Sequence, residues 1–275
     1  MRARSLLPRL LVLVLLALLA ACGDTRIDRI ETLPVDELYA EAKQSLEASN
    51  YERAARYYKR LVARFPFGRY TEQAELELGF AQYKAGDAEE ALSTTNRFIR
   101  QYPTHPHIDY AYYLRGLINF NREYGVLERY VQTDATRRDL ANARQSFQDF
   151  GELIQRFPNS RYAVDSRQRM IHLRNGLAQA ELNVASYYLR RKAYIAAQTR
   201  AKFLIETYPQ TPQTGDALAI MAESYRQLGQ EKLADDALAV LRLNFPDHPY
   251  LGGGWPAKRS LWWQLVPFVG ERRAG

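Results

Sequence analysis

The feature that most limits how this chain can fold is a fivefold recurrence of an aromatic residue followed by proline. The pairs are Phe65-Pro66, Tyr102-Pro103, Phe157-Pro158, Tyr208-Pro209 and Phe245-Pro246. Twelve residues before each proline stands a small residue: Ala54, Ala91, Ser146, Ala197 and Ala234. Five residues before stands a large one: Leu61, Phe98, Leu153, Leu204 and Leu241. Twenty-four before, the small residue recurs as Ala42, Gly79, Ala185 and Ala222, and the third copy breaks the pattern. Agreement over five copies makes this an internal repeat. Small residues at the two outer offsets let two antiparallel helices touch, and the large residue fills the gap to the next pair. Proline then ends the second helix, because it donates no N–H and its ring clashes with the preceding turn.

Residues 36–246 carry helical spacing almost throughout and no convincing period-2 strand. The unit resembles the tetratricopeptide repeat, a helix-turn-helix of about 34 residues. The expectation is an all-α solenoid of five such helix pairs. The proline spacings are 37, 55, 51 and 37, so the two middle copies carry extra residues. In the third pair, Tyr110 to Phe120 makes the first helix, with Gly116 as its small residue. An inserted loop, 123–138, follows, and the second helix starts at Asp139. In the fourth, Tyr162 to Arg190 reads as one long helix, with Leu173, Leu177, Ala180, Val184 and Tyr188 on one face. The chain then divides into a leader (1–21), a tether (22–35), N-terminal repeats (36–122), the loop, C-terminal repeats (139–246) and a tail (247–275).

The leader has its own logic. Arg2, Arg4 and Arg9 precede an unbroken apolar run of 12 residues, Leu10 to Ala21. That suits a signal peptide and is too short to span a bilayer, which needs about 20 residues. The run ends Leu19-Ala20-Ala21-Cys22, which resembles the bacterial lipoprotein cleavage box. Cys22 is the single cysteine of the chain, and it stands at the cut site. It is the expected lipid-attachment residue, the alternative being an ordinary leader with an incidental cysteine. Gly23 at the next position favours the outer membrane over inner-membrane retention. Several acyl chains on one residue anchor stably, at about 0.8 kcal/mol per buried CH₂.

Composition excludes several classes. One cysteine rules out a disulfide framework and any site needing several thiolates. The net charge of +7 falls to +4 once the three leader arginines are removed, so it does not point to nucleic acid. There is no Gly-rich phosphate loop, no HExxH and no GxSxG. His105 and His107 flank a proline and read as a turn before a helix. His172 reads as a helix-surface residue and His248 as a turn residue. Glu89-Glu90 and Asp235-Asp236 read as acidic first turns that favour the helix dipole. No catalytic residue, metal site or cofactor is expected.

What the repeats offer is surface. The pattern projects Tyr39, Lys43, Phe80, Tyr83, Tyr113 and Phe120 toward the concave face of the first three repeats. There they would suit an extended apolar peptide, or they pack between helices. The tail departs from the array. After three glycines it holds all three tryptophans, Trp255, Trp262 and Trp263, with Phe268 and four flanking cations, Lys258, Arg259, Arg272 and Arg273. It reads as an interfacial or partner-binding segment, or as a tail that stays disordered without a partner.

The lipobox, five repeats, mid-array insertion and long fourth-repeat helix together resemble the BamD family of outer-membrane lipoproteins. The specific segments are YYKRLVARFPFGRY (57–70), HPHIDYAYYLRGLINF (105–120), RRDLANARQSFQDFGELIQRFPNSRYAVDSRQRM (137–170) and VASYYLRRKAYIAAQTR (184–200). The resemblance runs from Cys22 to about Asp247 and leaves the tail aside. It implies a lipid-anchored scaffold of the β-barrel assembly machinery on the periplasmic face of the outer membrane, not an enzyme. It implies binding of the barrel subunit BamA through the C-terminal repeats, with contacts to accessory Bam lipoproteins. The N-terminal repeats would receive C-terminal segments of unfolded outer-membrane proteins. Arg200 matches the family position that pairs with an acidic group of BamA. Two other classes remain at this point: a repeat lipoprotein for cell-wall or Tol–Pal envelope maintenance, and an envelope hydrolase with an unrecognised site.

Overall fold

All five aromatic-proline pairs close a helix in the same way. The aromatic residue is the helix C-cap, with φ between −140° and −123° and ψ between 57° and 64°. The following proline excludes the helical region for it, which is why the helix stops there. Its N–H still donates to the carbonyl four residues back, at 2.8–2.9 Å, and that carbonyl belongs to Leu61, Phe98, Leu153, Leu204 or Leu241. One repeat position thus fills the core and takes the closing hydrogen bond.

The computed structural model describes residues 29–123 and 140–253. Among them every regular element is helical. The helices are α1 (Val35–Glu47), α2 (Tyr51–Arg64), α3 (Thr71–Ala85), α4 (Ala88–Gln101) and α5 (Ile108–Glu123), then α6 (Ala141–Arg156), α7 (Ala163–Arg190), α8 (Tyr194–Thr207), α9 (Thr214–Gln227) and α10 (Glu231–Asn244). Short 3₁₀ turns, Arg29–Glu31 and Pro249–Gly252, stand before and after them. The all-α, helix-pair architecture is as expected. The leader, Cys22, the inserted loop and the tryptophan tail lie outside the described residues, apart from Glu123 at the end of α5 and 247–253 at the start of the tail.

The chain forms two compact units, up to Gly86 and from Asp87 onward. In the first, α1 packs on α2 and α2 on α3. Leu38, Ala42, Ala54, Tyr58, Leu61, Ala74 and Leu78 make its core. The Arg64 guanidinium donates to the carbonyls of Ile30 (3.2 Å) and Leu33 (2.9 Å), which ties the incoming chain to the end of α2. In the second unit each helix from α4 to α10 packs on the next. One cluster runs from Ala143 and Phe150 through Leu177 and Ala185 to Leu204 and Ile220. A smaller cluster joins α9 and α10, with Tyr250 and Leu251 packed against it.

The sequence offsets map onto burial closely. Ala54, Ala91, Ser146, Ala197 and Ala234 are fully buried, as are the five large residues that follow them. Ala42, Ala185 and Ala222 are fully buried too. The turns between paired helices need a left-handed residue, supplied by Ser49, Gly86, Lys192 and Gly229. Two of these are not glycine, so the turn geometry overrides the usual steric penalty of about 1–2 kcal/mol.

Two local expectations need correction. Val184 is exposed, and Ala178, Leu182 and Ala185 are buried instead. Over the 28 residues of α7, the buried stripe drifts around the helix, because 3.6 residues per turn does not repeat on a fixed three-to-four spacing. Asp235 and Asp236 lie in the second turn of α10, since that helix begins at Glu231. Glu89 and Glu90 do stand in the first turn of α4.

Candidate functional site

The candidate groove residues fall in both units. In the first unit they gather around a buried acid. Glu77 of α3 accepts from Lys43 Nζ (2.8 Å), Gln73 Nε2 (2.9 Å) and the Tyr39 hydroxyl (3.2 Å). Burial pushes the Glu77 carboxyl up, but the Lys43 and Gln73 hydrogen bonds and the Lys43 charge help to outweigh it and hold the group below the usual carboxylate range. Burial first, and then the Glu77 charge, raise Tyr39 to about 12. The Tyr39 ring stacks on Tyr70 at 4.4 Å and meets Tyr58 edge-on at 6.1 Å. Tyr39 and Lys43 therefore work first as internal struts. Phe80 is half-buried and meets Tyr51 edge-on at 6.4 Å, and Tyr83 is half-buried on the same helix.

In the second unit, Tyr113 and Phe120 of α5 pack against α7. The Tyr113 hydroxyl donates to Asp165 (2.6 Å), and its ring stacks on Tyr162 at 4.7 Å. Burial and the Asp165 bond raise Tyr113 to about 12. Burial would raise Asp165, but hydrogen bonds from Tyr113 and Arg169 hold it below its usual range. Arg169 donates to Asp165 at 2.6 Å and also covers the Phe120 ring at 4.9 Å. Each aromatic of the set that has a described ring or hydroxyl partner thus packs between helices, one of the two readings left open by the sequence.

Arg200, on α8, is not simply a solvated arginine. Its Nη1 lies 3.3 Å from Glu181 of α7, which is buried and also faces Arg144 at 3.8 Å. The Arg200 side chain remains 48% exposed. Beside it, Ile195, Thr199 and Phe203 recur at four-residue spacing and are all exposed. The sequence reading missed this apolar face, although its spacing was visible. It also missed Phe67, 98% exposed in the turn after α2, where Tyr70 and Arg69 hold Asp36 at 2.9 and 2.7 Å.

His105 and His107 form a turn, with His105 Nδ1 accepting from the His107 N–H at 3.1 Å. His248 caps the last 3₁₀ turn and contacts Asp216 at 3.2 Å. Among the described residues, no group of three or more His, Cys, Asp and Glu is placed to hold a metal ion. Nor is any described helix long and apolar enough to cross a membrane.

The family model described as an outer membrane lipoprotein, YfiO, matches residues 31–241. The outer membrane protein assembly factor BamD of Xylella fastidiosa (strain Temecula1) is 46% identical over 269 residues, covering 96% of this chain and 92% of its own. The chain belongs to the BamD family. BamD of Neisseria meningitidis (strain Z2491) is 43% identical over 84% of this chain and 86% of its own. BamD of Vibrio cholerae is 37% identical over 84% and 96%. Among solved structures, the TPR2AB domain of yeast Sti1, in its complex with pHSP90, is similar at a TM-score of 0.43 and 14% identity, over 78% of this chain and 79% of that one. BamD membership makes the chain an outer membrane protein assembly factor, and the cell-wall and Tol–Pal reading is not favoured. The family match spans α1 to α9 and ends inside α10, so it takes in Tyr39 through Arg200 and leaves the tail beyond it.

Proposed function

We propose that this chain is a lipid-anchored scaffold, held by acylated Cys22 at the periplasmic face of the outer membrane. Its C-terminal repeats dock a BamA-like barrel protein, and accessory Bam lipoproteins join the same complex. Unfolded outer-membrane proteins are the cargo of that complex.

One observation carries the docking site. On α8, exposed Phe203 stands one turn from half-exposed Arg200, and exposed Ile195 lies two turns back along the Phe203 side of the helix. An apolar centre bordered by a guanidinium is the composition that concentrates binding energy in interfaces. Glu181 holds Arg200 in place while leaving part of the guanidinium open to an acidic group on the partner. A pre-positioned arginine loses less side-chain freedom on binding.

The test is the affinity of the mature chain for the periplasmic domains of the cognate barrel protein. Phe203→Ser is expected to weaken binding by about tenfold or more, equivalent to about 1.4 kcal/mol. Equal affinity for wild type and Phe203→Ser, with Ile195→Ser also unchanged, would remove the α8 face from the interface.

A further inference from the structure

A second exposed apolar stripe lies on α10, the last helix of the array. Leu243 is 82% exposed, Val240 46% and Leu233 45%. At about 100° per residue they fall within roughly 80° of arc, so they form one stripe. The repeat shows how unusual these residues are. Counted back from the proline, the position of Leu243 is Ala63, Arg100, Gln155 and Glu206 in the earlier copies. That of Val240 is Arg60, Arg97, Glu152 and Phe203, and that of Leu233 is Arg53, Glu90, Gln145 and Ala196. In the first three copies this face is polar at almost every position. In the last it carries Leu, Val and Leu. The repeat fold does not require that change, because the earlier copies are exposed at the Leu243 position and half-buried or exposed, never buried, at the other two. An exposed apolar stripe in place of charges marks a surface that something covers.

We propose that the tryptophan-rich segment 254–275 of this chain folds back and docks on the α10 stripe. Three observations select that occupant. The chain leaves the fold beside this helix: Tyr250 and Leu251 pack on the α9–α10 cluster, and Gly253 turns the backbone at φ 75°. The 22 residues that follow are ample to run back along α10, which at about 1.5 Å per residue is roughly 21 Å long. The segment carries three tryptophans and Phe268 among four cations and a single acidic residue, Glu271. Exposed Asp236 lies within the same stripe, one turn from both Leu233 and Val240, and offers a carboxylate to the segment's cations. A tether this short puts the segment at an effective concentration of about millimolar, so even weak apolar docking is populated.

Trp255, Trp262 and Trp263 are all the tryptophans of the chain, so intrinsic tryptophan fluorescence reports on this segment alone. The probe is the full mature chain with Cys22→Ser, free of lipid and detergent. The expected result is blue-shifted emission shielded from acrylamide, unchanged on tenfold dilution. Leu243→Asp should move the emission to that of a free indole and raise acrylamide quenching several-fold, with helical circular dichroism intact. Val240→Asp should do the same. Three results would overturn the proposal. The first is wild-type emission already like free indole, with a blue shift appearing only when phosphatidylethanolamine–phosphatidylglycerol vesicles are added, which gives the segment to lipid. The second is shielding that disappears on dilution, which gives it to a second copy. The third is shielding that survives both aspartate variants.

Discussion

Gly116 of α5 lies directly under the ring of Phe150 of α6. A Cβ added at Gly116 would stand 2.6 Å from Phe150 Cε1 and 2.7 Å from Cδ1. In the same contact, Ser146 Oγ donates to the Gly116 carbonyl at 2.9 Å. The third helix pair thus keeps the close approach of the other pairs, using a glycine where they place a small residue at a different offset. Gly116→Ala is expected to overpack this contact and lower stability by about 1–3 kcal/mol. Urea unfolding of the soluble mature chain checks it, and Phe150→Leu in the Gly116→Ala background should recover part of the loss. Wild-type stability in Gly116→Ala would contradict the contact.

The large residue five before each proline is fully buried in every repeat. Leu204 is fully buried, so Leu204→Ala should cost about 2–5 kcal/mol. Glu206→Ala, two residues past Leu204 on the exposed side of the same helix, should change stability by no more than about 0.5 kcal/mol. Paired thermal melts of the two variants separate core from surface at nearly the same sequence offset.

The pH profile follows from the acids that pair inside the fold. Glu77, Glu152 and Asp165 are held below their ordinary values in the folded chain. Their contribution is present above the unfolded carboxylate pKa of about 4 and is lost as pH falls through the lowered folded values. Asp149 works in the opposite direction: burial raises it in spite of Arg115, so it offsets part of that acid loss. Tyr39, Tyr113 and Tyr250 are raised to about 12, so their contribution is complete below about 10 and is lost as pH rises toward 12. Melting temperature against pH should therefore be flat across the neutral range and fall on both sides. Glu77→Gln should flatten the acid side, and an unchanged acid limb in that variant would count against the Lys43–Glu77–Tyr39 network.

Arg200 pairs with Glu181 inside the fold, and the proposal gives it a docking role as well; two substitutions separate the two. Arg200→Glu sets a second carboxylate beside buried Glu181, so it should lower the melting temperature as well as partner affinity. Arg200→Gln removes the charge without that repulsion. It should leave the melting temperature within a few degrees while still weakening the barrel-protein complex. Full binding by Arg200→Gln would confine Arg200 to the Glu181 pair.

Much of this fold was legible because the repeat writes its packing at fixed offsets from proline. Ala54, Leu61, Ala197 and Leu204 are buried where that register puts them, and the aromatic C-cap follows from the proline itself. The bounds of α7 were read to within one residue. The part that was not legible depends on pairing across the chain. Nothing in the spacing of Lys43 or Tyr39 announces that Glu77, more than 30 residues on, will take both their donors. The same holds for Glu181 and Arg200, which meet only once α7 and α8 are packed. Val184 was misplaced because small phase errors accumulate along a 28-residue helix. Phe67 and the α8 face escaped notice because an exposed aromatic and a core aromatic look alike until burial is known.

The central claim is that this chain works inside a barrel-assembly complex, and it is tested most directly by the partners the protein keeps. The measurement is mild-detergent co-purification of the tagged full-length chain from its native membranes, with mass spectrometry of the stoichiometric partners. The account predicts one large barrel protein with periplasmic repeat domains, retained by wild type and depleted in Phe203→Ser. Recovery of cell-wall or Tol–Pal components with no barrel protein would contradict it.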